Sequence, residues 1–244
     1  MIEHVYRQAR KALDEVYVAT DDQRIYDCVT AFGGQAVMTS SSCRCGTERV
    51  WEALKNCDPS DQVQGSRFKV QGLKGLKGLK GLKGSETVVI NIQGDEPFVE
   101  PEQIEALKSC FPTEIATLVT PFKPEDGLSA LENPNSPKVV VSDGKALLFS
   151  RSVIPYLRGV EKTEWLSHHT FYKHIGLYAY RADVLAKIVA LPPSPLEQAE
   201  SLEQLRWIEA GYEIKVAETA IQTIGIDTPE DLRRAEEEIR KLGN

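Results

Sequence analysis

Ile2, Val5, Tyr6, Ala9, Ala12 and Leu13 recur at three- and four-residue steps, which predicts an amphipathic helix over residues 2–14. The apolar run Val16–Ala19 predicts a short buried strand, and Asp21 or Asp22 stands where a second helix would be capped. That helix carries Ile25, Val29 and Phe32 and stops at Gly33-Gly34. Ala36–Met38 predicts a second strand, and Thr47 opens a third helix through Trp51 and Leu54. Thr87–Ile92 predicts another buried strand, followed by Gln93-Gly94-Asp95-Glu96-Pro97 and a helix entered at Pro101. Strands alternating with helices in this way imply an α/β fold with a mainly parallel sheet flanked by helices.

The pattern changes in the second half. Lys138–Ser142 and Lys145–Phe149 flank Asp143-Gly144, a hairpin signal, and Lys173–Arg181 alternates as a strand does. Ser194-Pro195-Leu196-Glu197 combines a capping box with proline at the first helical position, which predicts a helix running to about Ala210. Tyr212–Ala217 predicts a late strand, and Thr228-Pro229-Glu230-Asp231 begins a charged helix ending near Gly243. The 244 residues suit one α/β domain with an antiparallel excursion over about 130–185, the kind of element that builds a lid or a dimer surface.

One segment follows neither period. From Gly72 the triplet Gly-Leu-Lys repeats four times, and a glycine every third residue weakens any helix. Residues 64–84 are therefore expected to form a mobile surface insertion, or else a cationic tether gathering Arg67, Lys69, Lys74, Lys77, Lys80 and Lys83.

Charge and composition narrow the function class. With 29 Lys+Arg against 36 Asp+Glu the formal net charge is −7, which argues against a chain that grips nucleic acid by bulk charge. No run approaches the ~20 apolar residues of a membrane span, so membrane insertion is not expected. Met1-Ile2-Glu3-His4 carries no export signal, so a cytoplasmic protein is expected. The five cysteines are widely spaced, and Cys43-Arg44-Cys45 without a second pair is a poor zinc signature; reduced thiols are expected.

Asp95 lies just beyond a strand's carboxyl end, where open α/β sheets bind ligands, and its carboxylate suits a hard cation such as Mg²⁺. The structural alternative is a turn in which Gly94 takes a positive φ and Asp95 caps the turn at Pro97. Asp227, before a helix start, poses the same choice between metal ligand and helix cap. Gly46-Thr47-Glu48-Arg49 places glycine, a hydroxyl and a guanidinium at a helix opening, either to hold an anion or base edge or as an ordinary cap. On a continuous helix from Pro195, Glu203 falls about 340° from Leu196, within the apolar arc, where a carboxylate needs a partner or a ligand. His174 and Tyr178, four apart on one strand, share a face, as site residues or as core residues with satisfied polar tips.

Gln93-Gly94-Asp95-Glu96-Pro97, Gly46-Thr47-Glu48-Arg49, Phe149-Ser150-Arg151, Pro155, His174-Ile175-Gly176-Leu177-Tyr178, Leu202-Glu203-Gln204-Leu205-Arg206 and Asp227-Thr228-Pro229-Glu230-Asp231 occur together and in order. Through them the chain resembles the 3-deoxy-manno-octulosonate (Kdo) cytidylyltransferases over about residues 1–240, apart from roughly 61–84. The resemblance implies a nucleotide-diphosphate-sugar-transferase type of fold, a homodimer, and the reaction CTP + Kdo giving CMP-Kdo and pyrophosphate for lipopolysaccharide synthesis. It implies Mg²⁺ held by Asp95 and Asp227, and a Kdo pocket of Gln93, Arg158, His174, Tyr178, Glu203 and Gln204. It also places Gly46 and Arg49 towards the cytidine. Arg158 suits the sugar's carboxylate because a planar guanidinium can pair both oxygens. The family's P-A-R-x-x-S-x-R-x-P-G-K loop has no counterpart here, since Met1 falls at the family's first helix; the expectation is a marginally stable chain with little activity as written. The alternatives are a sialic-acid type of CMP-sugar synthetase and a non-catalytic relic or subunit.

Overall fold

The computed structural model describes residues 1–57, 87–221 and 233. The chain divides into two compact units, residues 1–105 with 221–244, and residues 106–220. Asp227 and the 64–84 insertion lie outside the described residues, as does the helix expected from Thr228 apart from residue 233, which is helical.

In the first unit, α1 (Ile2–Ala12) buries Val5, Gln8 and Ala9, the stripe that its periodicity predicts. β1 (Val18–Thr20) leads into α2 (Gln23–Ala31), where Asp22 is the cap, its carboxylate accepting from Arg24 N at 2.8 Å. That bond and the Arg24 guanidinium hold the Asp22 carboxyl down at about 2. α2 is the crossover that lets β2 (Ala36–Met38) lie parallel to β1, with Val18 opposite Ala36. α3 (Gly46–Asn56) follows, then β3 (Val88–Asn91), buried along its whole length. α4 (Pro101–Ser109) begins in the first unit and ends in the second, and Ile104 and Leu107 are completely buried.

The second unit contains β4 (Ile115–Pro121), α5 (Gly127–Glu132), β5 (Lys138–Ser142), β6 (Lys145–Ser150), α6 (Trp165–His168) and β7 (Tyr172–Arg181). They are followed by α7 (Ala182–Ile188), α8 (Pro195–Glu200), α9 (Gln204–Glu209) and β8 (Ile214–Glu218). Its strands run in the order β7-β4-β8-β6-β5, and β5 pairs again with β7, curling the sheet back on itself. Only β4 and β8 pair in parallel here; the other pairings are antiparallel, so the sheet is mixed where the sequence pattern suggested a mainly parallel one.

Two elements depart from the sequence reading. β4 was not anticipated, because six of its seven residues are buried and it shows no two-residue alternation. The helix expected from Pro195 to about Ala210 is two helices of six residues each, broken where Ser201 adopts φ 50, ψ 48. The continuous-wheel placement of Glu203 is thereby corrected, since that residue sits in the break, just before α9.

Candidate functional site

In the first unit the carboxyl ends of β1 and β2 meet the start of α3. Arg49, one turn into α3, donates from Nη1 to Thr39 Oγ1 at 2.7 Å and lies 3.2 Å from Asp21 Oδ1. Its other guanidinium nitrogens make no hydrogen bond among the described residues. A Cβ added at Gly46 would stand 3.4 Å from Gln93 Nε2 and 3.5 Å from Asn91 Nδ2, so glycine leaves room for two amides over the helix's first turn. A cavity of about 430 Å³ opens there, with Val5, Ala9 and Ile90 on its apolar side and Gly46, Arg49, Asn91 and Gln93 on its polar side. That volume lies within the ordinary range for small-molecule sites.

The loop before α3 is stitched down by the helix's own carboxylates. Glu52 accepts from Ser40 N at 2.6 Å and from Cys43 Sγ at 3.2 Å, while Glu48 accepts from Arg44 N at 2.8 Å and pairs with the Arg44 guanidinium. Desolvation and the Glu52 carboxylate push the Cys43 thiol up, so it stays protonated and is no nucleophile. Gln93, Gly94 and Asp95 are exposed on the turn leaving β3, which a bond from Glu96 N to Gln93 O closes at 3.3 Å. Gly94 does not take a positive φ, and Asp95 makes no hydrogen bond or ion pair among the described residues. The turn-cap alternative for Asp95 is therefore not realised. What stands there is an unengaged hard oxygen donor, the ligand type Mg²⁺ prefers.

In the second unit β7 presents His174 and Tyr178 on one face, with ring centroids 5.3 Å apart. The register slips between Thr117 and Leu118, and the slip keeps parity: His174 faces Val119 and Tyr178 faces Thr117, two residues apart on β4. The shared face inferred from spacing is real. Thr117 Oγ1 donates to Leu177 O at 2.8 Å, so its oxygen is left to accept from His174 Nε2 at 3.2 Å. Phe149 meets the imidazole edge-on at 5.1 Å. Burial among these groups pulls the His174 pKa from 6.5 to about 3, so the ring is neutral. Burial, reinforced by Tyr180 and Glu203, pushes the Tyr178 phenol well up, so it remains a donor.

Glu203 has found its partner. Its carboxylate accepts from Arg206 Nη2 at 3.0 Å, and the guanidinium, only 5% exposed, also pairs with Glu197 at 3.2 Å. Gln204 is buried with its Nε2 unpartnered among the described residues, and so is the Nε1 of Trp207, whose ring meets Tyr178 edge-on at 5.2 Å. Arg158 is exposed beside Gly159 and makes no hydrogen bond or ion pair among the described residues. Sequence reasoning missed Thr117 and Trp207 and noted Phe149 only within the Phe149-Ser150-Arg151 motif; the three set the surroundings of His174 and Tyr178 from other elements. The Glu203–Arg206 pair was legible as an i,i+3 spacing. Among the described residues no three His, Cys, Asp or Glu cluster to hold a metal, and no helix is long and apolar enough to cross a membrane.

Comparison with known proteins places these features in context. The family model described as cytidylyltransferase matches residues 1–72 and 76–216. The 3-deoxy-manno-octulosonate cytidylyltransferase of Phocaeicola vulgatus is 55% identical over 240 residues, covering 97% of this chain and 85% of that protein. A CMP:2-keto-3-deoxy-manno-octonic acid synthetase solved in complex with CTP aligns with a TM-score of 0.78 at 35% identity, over 98% of this chain and 87% of that one. A glucose-1-phosphate thymidylyltransferase from Bacillus anthracis shares the fold alone, with a TM-score of 0.54 at 15% identity over 97% of this chain and 80% of that one. The comparisons lend no support to reading the chain as a relic.

Proposed function

The chain belongs to the 3-deoxy-manno-octulosonate cytidylyltransferase family and transfers a cytidylyl group from CTP to Kdo, activating the sugar for lipopolysaccharide synthesis; we propose that its first unit recognises the nucleotide and its second the sugar. The observation that carries the reading is 55% identity across 97% of the chain. In the reaction the sugar's anomeric hydroxyl attacks the α-phosphate in line. A new O–P bond forms, the Pα–O bond to the β-phosphate breaks, and pyrophosphate departs with the hydroxyl proton released.

Little covalent work falls to the protein, so its groups bind, align and neutralise. Arg49, anchored by Thr39 and Asp21, keeps part of its guanidinium fork for the nucleotide, and Gly46 borders the cavity that receives the base and ribose; Gln93, which the resemblance implies as a Kdo contact, lines that same cavity and is therefore proposed on the nucleotide side instead. Asp95 would hold Mg²⁺, with Asp227 as its companion ligand, and the ion when bound would supply charge neutralisation at the triphosphate. On the sugar side, neutral His174, protonated Tyr178 and the spare Nε2 of Gln204 offer hydrogen bonds to hydroxyl groups. Glu203 accepts from a sugar hydroxyl while staying paired to Arg206, and Arg158 pairs the carboxylate. We place the enzyme in the cytoplasm as a homodimer.

The test is pyrophosphate release from CTP and Kdo with Mg²⁺ present. Release equal to the CMP-Kdo formed is expected. Release with sialic acid and none with Kdo would assign the chain to the other branch of CMP-sugar synthetases.

A further inference from the structure

Phe149-Ser150-Arg151 is a motif that the chemistry above leaves unused, and it closes a charged knot in the second unit. Arg151 Nε donates to Glu200 O at 2.6 Å, Nη1 to Pro134 O at 2.9 Å and Nη2 to Ser201 O at 3.3 Å. In return the Glu200 carboxylate accepts from Ser150 Oγ at 2.6 Å and from Arg151 N at 2.9 Å. Lys138, fully buried on β5, donates to Asn133 O at 3.0 Å, next to the carbonyl of Pro134 that Arg151 holds.

The place where this knot grips the chain matters. Glu200 ends α8, and the last carbonyls of any helix lack intrahelical donors. Ser201 then turns left-handed, a conformation that side chains other than glycine resist, so something outside the turn must hold it. The guanidinium of Arg151, on a strand fifty positions earlier, supplies the missing donors to both carbonyls. After the turn and Leu202 come Glu203 and Gln204, and α9 begins with Leu205 N bonded to Leu202 O at 3.1 Å.

We infer that Arg151, locked by Glu200, is a positioning residue that sets the direction of Glu203 and Gln204 by clamping the α8–α9 turn to the end of β6. The inference rests on the reading of those two residues as sugar contacts. It needs the forked geometry of arginine, because three carbonyls on two segments must be reached at once.

The experiment compares the wild type with Arg151→Met and Arg151→Lys by steady-state kinetics and by hydrogen exchange at the Leu205 and Arg206 amides. Losing charge-assisted bonds on a positioning group predicts a KM for Kdo raised about tenfold, with the KM for CTP within about twofold. Exchange at residues 205–206 should speed up in both variants. Arg151→Lys keeps the charge beside Glu200 and carries the test if Arg151→Met fails to fold; its KM for Kdo should also rise. An unchanged KM for Kdo in a folded variant, or equal rises for both substrates, overturns the inference. If the wild type turns over no Kdo, the functional reading falls instead. The exchange rates then decide the clamp: faster exchange supports it and unchanged exchange removes it.

Discussion

His174 makes the stability of the second unit depend on pH in a direction the structure specifies. Its ring lies against Phe149 and Tyr178 at 5.1 and 5.3 Å, and its hydrogen-bond partner is the neutral Thr117 hydroxyl. Burial lowers its pKa from 6.5 to about 3, so the folded state favours the neutral ring and the unfolded state binds the proton first. The stabilisation is therefore complete above about pH 6.5 and is lost as the pH falls from there towards 3. At about 1.4 kcal/mol for each tenfold change in proton affinity, the ceiling is about 5 kcal/mol, and about 2 kcal/mol is gone at pH 5 relative to pH 8. Urea unfolding at pH 8 and pH 5, followed by the fluorescence of buried Trp165 and Trp207, measures this in the wild type and in His174→Gln. The variant should lose about 2 kcal/mol less than the wild type between the two pH values. Equal losses, or a native imidazole proton resonance that titrates near 6.5, would refute the argument. On the proposed reading of the sugar side, the same neutrality would have His174 meet a sugar hydroxyl by a hydrogen bond and would leave the carboxylate to Arg158.

Asp95→Asn should abolish Mg²⁺-dependent pyrophosphate release while shifting the urea midpoint by no more than about 0.5 kcal/mol, because the carboxylate is exposed and unpaired among the described residues; a large stability loss would mark it as structural. Glu203→Gln keeps its volume and leaves Arg206 with Glu197, so the fold should survive while Kdo affinity drops by roughly ten- to a hundredfold, the effect of about 1.5–3 kcal/mol, as read by calorimetric titration. Ser194→Ala removes the capping-box acceptor of Glu197 N and should cost about 1 kcal/mol in urea unfolding. Leu177→Ala, at a fully buried position of β7, should cost about 2–5 kcal/mol by the same measure.

What the sequence determined by itself was whatever is carried by local pattern. α1 follows from its three- and four-residue spacing, the hairpin of Lys138–Ser142 and Lys145–Phe149 from the Asp143-Gly144 turn signal, and the β2 segment Ala36–Met38 from a short apolar run between glycines and polar residues. The placement of the motif residues at the end of β3 and on β7 was legible for a related reason: a position at a strand terminus or on a strand face needs only spacing. Tertiary structure decided the rest. β4 hides on both faces, so no alternation marks it, and which strands pair in parallel depends on partners distant in the chain. Nothing local breaks the run from Pro195; the break at Ser201 is held by Arg151, fifty positions away. Spacing also put His174 and Tyr178 on one face, but Phe149, Thr117 and Trp207 arrive from other elements to shape their surroundings. Desolvation is a property of that packed assembly, and so is the protonation state that determines how these side chains can act.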